Sequence, residues 1–160
     1  MEMESMGMKS QAVQDANSSG RKESNNEEKS VNSWIEYWNS ENTFDHFAWQ
    51  LFADIFAKST ESILNYSKDD TVLDIGCGPG CLAASLKGKI KEFHGLETSQ
   101  RYLDMARKRF RYEKDIFFHN LDRSDYTNLS FLKGRLFSKI ICLSVIQYYD
   151  STDRVEKLIE

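Results

Sequence analysis

The sequence predicts an α/β fold: a doubly wound parallel sheet, partial at about four strands, preceded by an N-terminal helical segment. Three observations predict it. Between residues 68 and 160, short apolar runs alternate with helix-like stretches, which is the pattern of βαβ units. The first run, Val72-Leu73-Asp74-Ile75, passes directly into the glycine-rich turn Gly76-Cys77-Gly78-Pro79-Gly80. Such strand-to-helix junctions put ligands at the carboxyl ends of the strands. The chain has 160 residues, 40% hydrophobic and 29% charged, which suits one globular domain.

The elements follow in order. Residues 1–30 read as a disordered polar tail. No aromatic residue precedes Trp34, and Ser, Asn, Glu, Lys and Gln dominate, so the segment cannot offset its ordering entropy by burial. Its four basic and six acidic residues carry −2 of the chain's net −4. Residues 31–67 read as a helical lead-in. Trp34, Ile35, Tyr37 and Trp38 form an aromatic cluster. Phe44, Phe47, Leu51 and Ile55 then recur at helical spacing with Ala48, Phe52 and Phe56 beside them. That stripe is expected to face the core, with Asn42 or Thr43 as the cap. Lys68-Asp69-Asp70 is a polar turn. Strands are predicted at Thr71–Ile75, Glu92–Leu96, Asp115–His119 and Lys139–Leu143. Helices are predicted at Leu82–Lys87, at Gln100–Phe110 and from near Asp150. There is no internal repeat.

Composition excludes several classes. A net charge of −4 argues against non-specific binding to nucleic acid or anionic lipid. No apolar run reaches the ~18 residues of a membrane span. Three Cys, an odd number at low density, argue against a disulfide scaffold and for reduced thiols in the cytoplasm. Cys77 and Cys81 have no second ligand pair, so no metal site is expected. His46, His94 and His119 are scattered and read as structural. Arg107-Lys108-Arg109-Phe110-Arg111 reads as a solvated helix face rather than an RNA-facing patch.

The glycine turn carries the chemistry. Glycine lets ligand atoms approach the backbone closely, and the following helix start offers unpaired N–H groups. A dinucleotide fingerprint needs glycines at 76, 78 and 81, but position 81 is Cys81. A phosphate loop needs Gly-Lys-Ser/Thr, and Lys87 comes too late.

Asp74-Ile75-Gly76-Cys77-Gly78-Pro79-Gly80 resembles the first motif of the Rossmann-like, class I S-adenosylmethionine-dependent methyltransferases. Three further pieces resemble the same family in the same order. Phe93-His94-Gly95-Leu96-Glu97-Thr98-Ser99 ends the next strand on an acidic residue. Phe118-His119-Asn120-Leu121-Asp122 and Phe137 through Tyr149 resemble the third and fourth strands with their loops. The resemblance implies S-adenosylmethionine as cofactor and a role for each matching residue. Glu97 would accept from the ribose hydroxyls and Asp122 from the adenine amino group, with the Leu121-Asp122 backbone reading the ring edge. Asp74 would orient the methionine amino group, helped by carbonyls near Leu143 and Ser144. Thr98 would line the adenine pocket, and Gly76, Cys77, Gly78 and Gly80 would form the close-approach turn. Trp34, Tyr37 and Trp38 are expected to pack the helix, the alternative being to cover the cofactor.

No catalytic residue is assigned, because a sulfonium is already an activated methyl donor. Gln147 and Tyr148 are candidates for acceptor contact. Pro79 is the only proline, so the Pro-Pro-Tyr/Phe motif of amino-methylating DNA and glutamine enzymes and the Pro-Cys pair of cytosine-C5 enzymes are missing. The stretch after strand four instead resembles enzymes that methylate O, N or C of a small molecule. The family's sheet has seven strands, so the chain is expected to be the cofactor-binding, N-terminal part of such an enzyme (residues 31–160, with 68–160 as the βαβ core). The strand at Ile140–Leu143 would then be an open edge. The alternatives are a non-catalytic interaction or regulatory module and a nicotinamide oxidoreductase.

Overall fold

The structure, a computed structural model, describes residues 36–38, 40, 46–122, 129–148 and 152–159. The predicted tail, Trp34, the candidate caps Asn42 and Thr43, and Phe44 lie outside them.

The order is α1 (His46–Ser59), α2 (Glu61–Leu64), β1 (Thr71–Ile75), α3 (Cys81–Leu86), β2 (Glu92–Glu97), α4 (Gln100–Arg109), β3 (Ile116–Asn120), a 3₁₀ turn (Ser130–Leu132), β4 (Lys139–Ile141), a second 3₁₀ turn (Ile146–Tyr148) and α5 (Thr152–Ile159). The strands form one sheet in the order β3-β2-β1-β4, every pairing parallel. The chain winds outward from β1 to β3, then returns to place β4 on the other side of β1. That reversal makes the fold doubly wound and opens a crevice at the carboxyl ends of β1 and β4. The strands match the sequence reading to within a residue, except that β4 ends at Ile141. Ser144 there adopts a left-handed backbone with φ 58°.

Period-two alternation sorts the strands' side chains between two faces. Val72, Phe93, Ile116, Phe118 and Ile141 face the helices, against Ala53 and Ala57 of α1, Leu82 and Leu86 of α3, and Leu103 and Ala106 of α4. Full burial of each large apolar side chain contributes about 1.5–3 kcal/mol. Leu73, Ile75 and Leu96 point the other way, into a smaller cluster closed by Leu121, Leu132 and Phe137 of the β3–β4 crossover. His94 is buried on that face. Its Nδ1 lies 3.0 Å from His119 Nε2 and its Nε2 lies 3.3 Å from Glu92. Burial, the largest influence, lowers both histidines, His119 to about 4. The histidines are therefore neutral packing groups at pH 7.

α1 corrects the sequence reading. The stripe Phe47–Leu51–Ile55 faces outward, with Phe47 78% exposed, while Ala57 is 2% exposed. The helix turns its small residues toward α3, because alanines let two helix backbones approach closely where phenylalanines would hold them apart. A polar clamp fixes that orientation. Gln50 Nε2 donates to the Cys81 carbonyl at 3.2 Å and to Ser85 Oγ at 3.1 Å, and Gln50 Oε1 accepts from Arg109 at 2.8 Å. Ser85 donates to Asp54 at 2.6 Å. At α4, Ser99 caps the first turn, and Arg107, Lys108 and Arg109 occupy the last turn, where cations complement the helix dipole.

Asp70 ties the amino ends of three strands together. Its carboxylate accepts from Lys139 Nζ at 2.6 Å, Ser138 Oγ at 2.7 Å and the Ser67 amide at 2.6 Å, and its carbonyl accepts the Lys91 and Glu92 amides. The Lys139 ammonium, foremost, holds this carboxyl well below the usual carboxylate range. Asp70→Ala strips a largely buried ammonium of its partner and is expected to cost about 3 kcal/mol, measured by denaturant unfolding. A depressed carboxyl contributes stability that is complete above its unfolded pKa and fades as pH falls below about 4. The gap between wild type and Asp70→Ala should therefore narrow on acidification through that range.

Candidate functional site

The crevice lies where the sequence motif meets the topological switch. β1 delivers Asp74 at its end, and the turn after it forms one lip. Gly76 has φ +74°, and a Cβ there would meet Val145 Cγ2 at 2.2 Å. The left-handed backbone and the close passage of the post-β4 loop both require glycine here. Gly78 differs: its φ is +53° and a Cβ would have open space around it. Gly78 is thus the position where the turn leaves its backbone accessible. Gly80 begins α3 and lies against Phe110 and Phe118.

The cavity encloses about 190 Å³. Its wall includes Asp74, Gly76, Cys77 and Gly78 from the first turn, Glu97 and Thr98 from the end of β2, Leu121 after β3, and Leu143, Ser144 and Tyr148 after β4. These predicted site residues converge from four strand ends. Three others do not join the wall: Gly80 packs behind the turn, and Asp122 and Gln147 are exposed. The sequence reading passed over Trp49 and Phe52 of α1 and Ser99 and Tyr102 of α4, which line the same space. Only the aromatic density of residues 34–56 hinted at the first pair. Trp38, expected to pack against the helix, also lines the cavity.

Glu97 is buried, and its carboxylate braces the two lips. Oε2 accepts the Gly78 amide at 2.8 Å and Oε1 accepts the Ser99 amide at 2.7 Å. Burial raises its pKa, and the Ser99 and Gly78 amides oppose that shift. Thr98 Oγ1 adds a longer bond to Oε1 at 3.5 Å; a carboxylate offers about four acceptor sites, so capacity remains, chiefly on Oε2, for a hydroxyl group in the crevice. Asp74 is also buried. Burial first, and the Glu97 charge second, push its carboxyl up to about 8. No hydrogen bond among those influences favours its anion. A cation placed beside Asp74 would reverse both effects.

This donor set suits a nucleoside that carries a positively charged amino group. Glu97 offers acceptors for vicinal hydroxyls, Asp74 a counter-ion, Gly78 an open backbone, and Leu96 and Leu121 apolar surface for a flat ring. A doubly wound parallel sheet with a crevice at its switch point defines a Rossmann-like domain. Residues 72–160 match the sequence profile described as Methyltransferase domain, and the chain belongs to that family. It is 32% identical to an uncharacterized methyltransferase of Schizosaccharomyces pombe, over 49% of this chain and 27% of that protein. Among solved structures, an S-adenosylmethionine-dependent methyltransferase from Clostridium acetobutylicum superposes with a TM-score of 0.53 at 26% identity. That match covers 72% of this chain and 44% of the other. Streptomyces venezuelae DesVI superposes with a TM-score of 0.53 at 26% identity, over 69% and 43%. The chain spans about a quarter of the curated relative's length and less than half of either solved chain. Among the described residues, no group of His, Cys, Asp and Glu could hold a metal ion, and no helix is long and apolar enough to cross a membrane.

The raised carboxyl gives a stability prediction. In the ligand-free chain Asp74 is largely protonated at pH 7 when folded and ionised when unfolded. Its contribution is complete below the unfolded pKa near 4 and is lost as pH rises toward 8. Asp74→Asn, neutral and similar in shape, should therefore match wild type near pH 4. It should melt several degrees higher at pH 8, as followed by circular dichroism.

Proposed function

We propose that the chain is the cofactor-binding part of an S-adenosylmethionine-dependent methyltransferase that acts on a small-molecule acceptor. The observation that carries this is the pairing of two buried carboxylates, Asp74 and Glu97, on the wall of one crevice beside the open backbone of Gly78. Residues 68–160 would form the cofactor-binding core and 31–67 its helical lead-in. Free Cys77, Cys81 and Cys142 suit a reducing compartment such as the cytoplasm.

The residues divide the binding by chemistry. Asp74 holds the amino group, with main-chain carbonyls near Leu143 and Ser144 as further acceptors. Glu97 accepts from the ribose hydroxyls with the acceptor capacity that the Gly78 and Ser99 amides and the Thr98 hydroxyl leave over, and charge-assisted bonds are the stronger kind. Leu121 and Thr98 flank the base. When bound, S-adenosylmethionine supplies a methyl group on a sulfonium, already activated for displacement. The protein's task is then placement: holding a nucleophile in line with the S–CH₃ bond can supply roughly 7–11 kcal/mol. Tyr148, on the wall after β4, is the side chain best placed to meet the acceptor, with the exposed Gln147 beside it. The stretch Ser144-Val145-Ile146-Gln147-Tyr148 supports a small acceptor through its likeness to enzymes of that type.

Calorimetry tests the assignment. S-adenosylhomocysteine should bind, and Glu97→Ala should weaken it by about 1.5–3 kcal/mol through lost charged hydrogen bonds. Binding of NADH in its place rejects the reading. The pH dependence follows from Asp74. The ligand's ammonium favours the ionised carboxylate, so binding at pH 7 releases up to one proton. Affinity rises from pH 6 toward 8 and levels off above it. Titrations in buffers of different ionisation enthalpy should register that proton, and Asp74→Asn should abolish its release.

A further inference from the structure

All four strands are parallel, so the loops that lead into them gather at the end of the sheet opposite the crevice. Residues 65–70, 87–91, 110–115 and 133–138 hold eight Lys and Arg against four Asp and Glu. The local charge is +4 in a chain whose net charge is −4. Burial sharpens the asymmetry. All eight basic residues are exposed, whereas Asp69 alone among the four acidic residues is. Asp70 is buried against Lys139, and Glu113 and Asp115 are half-buried. Lys89, Lys91, Lys114 and Lys133 form no salt bridge among the described residues.

These loops form one surface. Lys68 donates to the Gly88 carbonyl, Lys87 pairs with Glu113 at 2.5 Å, and Arg135 lies 3.7 Å from Glu92 at the start of β2. Each contact ties one loop to another element at the same end, so the cations keep a fixed spread. Four strands spaced about 4.8 Å apart give this end a width of roughly 15 Å. Two large apolar side chains stand out from it, Leu136 at 90% exposed and Tyr112 at 80%. Each follows an arginine in the chain, and the Arg111 guanidinium lies 4.5 Å over the Tyr112 ring. Apolar tips among exposed cations suit a lipid headgroup layer. The tips enter the acyl boundary, and the long basic side chains keep their charges among the phosphates.

A nucleic acid offers phosphates too, but it fits this surface less well. Phosphate recognition there favours the arginine fork, and six of the eight cations are lysine. A phosphate backbone would also leave Leu136 in water. The chain's overall negative charge does not oppose a lipid surface at this end. Screening acts over about 8 Å at physiological salt, and the five residues of β1 set the crevice carboxylates roughly 16 Å away.

We propose that the amino-end face of the sheet docks the protein on an anionic phospholipid bilayer. Lys89, Lys91, Lys114 and Lys133 engage the headgroup phosphates, and Leu136 and Tyr112 enter the interface. The crevice then points away from the bilayer, so docking leaves it open to ligands from solution. This docking is independent of what the crevice binds.

The test is co-sedimentation of the full chain with phosphatidylcholine vesicles, either plain or containing about one-third phosphatidylserine. The anionic vesicles should bind it about tenfold more tightly than the plain ones, and raised salt should release it. Lys89→Glu, Lys91→Glu and Lys133→Glu together should bring binding down to the level of plain vesicles. Leu136→Ser should weaken it about fivefold with the salt dependence unchanged. Leu51→Ser, on the exposed face of α1, should bind as the wild type does. Melting curves of each variant separate these outcomes from loss of fold. Equal binding to plain and anionic vesicles, or full binding by the triple variant, overturns the proposal. Loss of binding in a folded Leu51→Ser protein moves the contact to α1 and overturns it as well. Displacement from the vesicles by duplex RNA at matched phosphate concentration assigns the face to nucleic acid instead.

Discussion

The Glu97 carboxylate is the interaction on which the crevice depends. It sits at the last residue of β2 with one oxygen on the amide of Gly78 and the other on the amide of Ser99. Those amides belong to different elements, the glycine turn after β1 and the cap of α4. The carboxylate spans the gap between them and orients the half-buried backbone of Gly78. Burial opposes its charge, and the amides partly offset that effect. A buried anion bonded to backbone donors is a rigid bracket, because leaving either donor unpaired in a buried site costs about 1–3 kcal/mol. The same group lines the cavity and keeps acceptor capacity toward it.

Asp74 is the counterpart that is left without such support. It lies on the same wall, with burial and the Glu97 charge both acting against its ionisation. The ligand-free chain therefore holds a neutral acid where a cation would be welcome. This places a local cost on the folded state that a positively charged ligand relieves, which is how a binding site trades stability for affinity. At the opposite end of the strands the arrangement is reversed. Asp70 is buried with an ammonium, a hydroxyl and an amide around its carboxylate, and it serves the sheet alone. Two aspartates four residues apart thus do opposite work according to their partners.

Much of the fold was legible because its signals are local. The bounds of β1 and the starts of β2, β4 and α4 follow from short apolar runs alternating with helix-like stretches. The site was legible where position along a strand decides it: Asp74 and Glu97 lie at strand ends, and parallel pairing brings such ends together. Other features were not legible. The buried face of α1 was read from its bulky residues, but Ala53 and Ala57 face α3, since close helix contact favours small side chains and the Gln50 clamp fixes the rotation. Of the adjacent pair Leu121 and Asp122, only Leu121 lines the wall, while Asp122 is exposed.

The sequence by itself determined the order of strands and helices, the glycine turn and the two carboxylates, because each rests on periodicity or on spacing within a few residues. Only the tertiary structure decided which glycine leaves its backbone open, which face of α1 is buried, and that Trp38 reaches the crevice. Each of those depends on contacts between residues far apart in the chain: Val145 against Gly76, α3 against α1, and Ser99 against the Trp38 carbonyl. Local pattern carries no record of such distances, since they are set by packing density and by the partners that buried polar groups find.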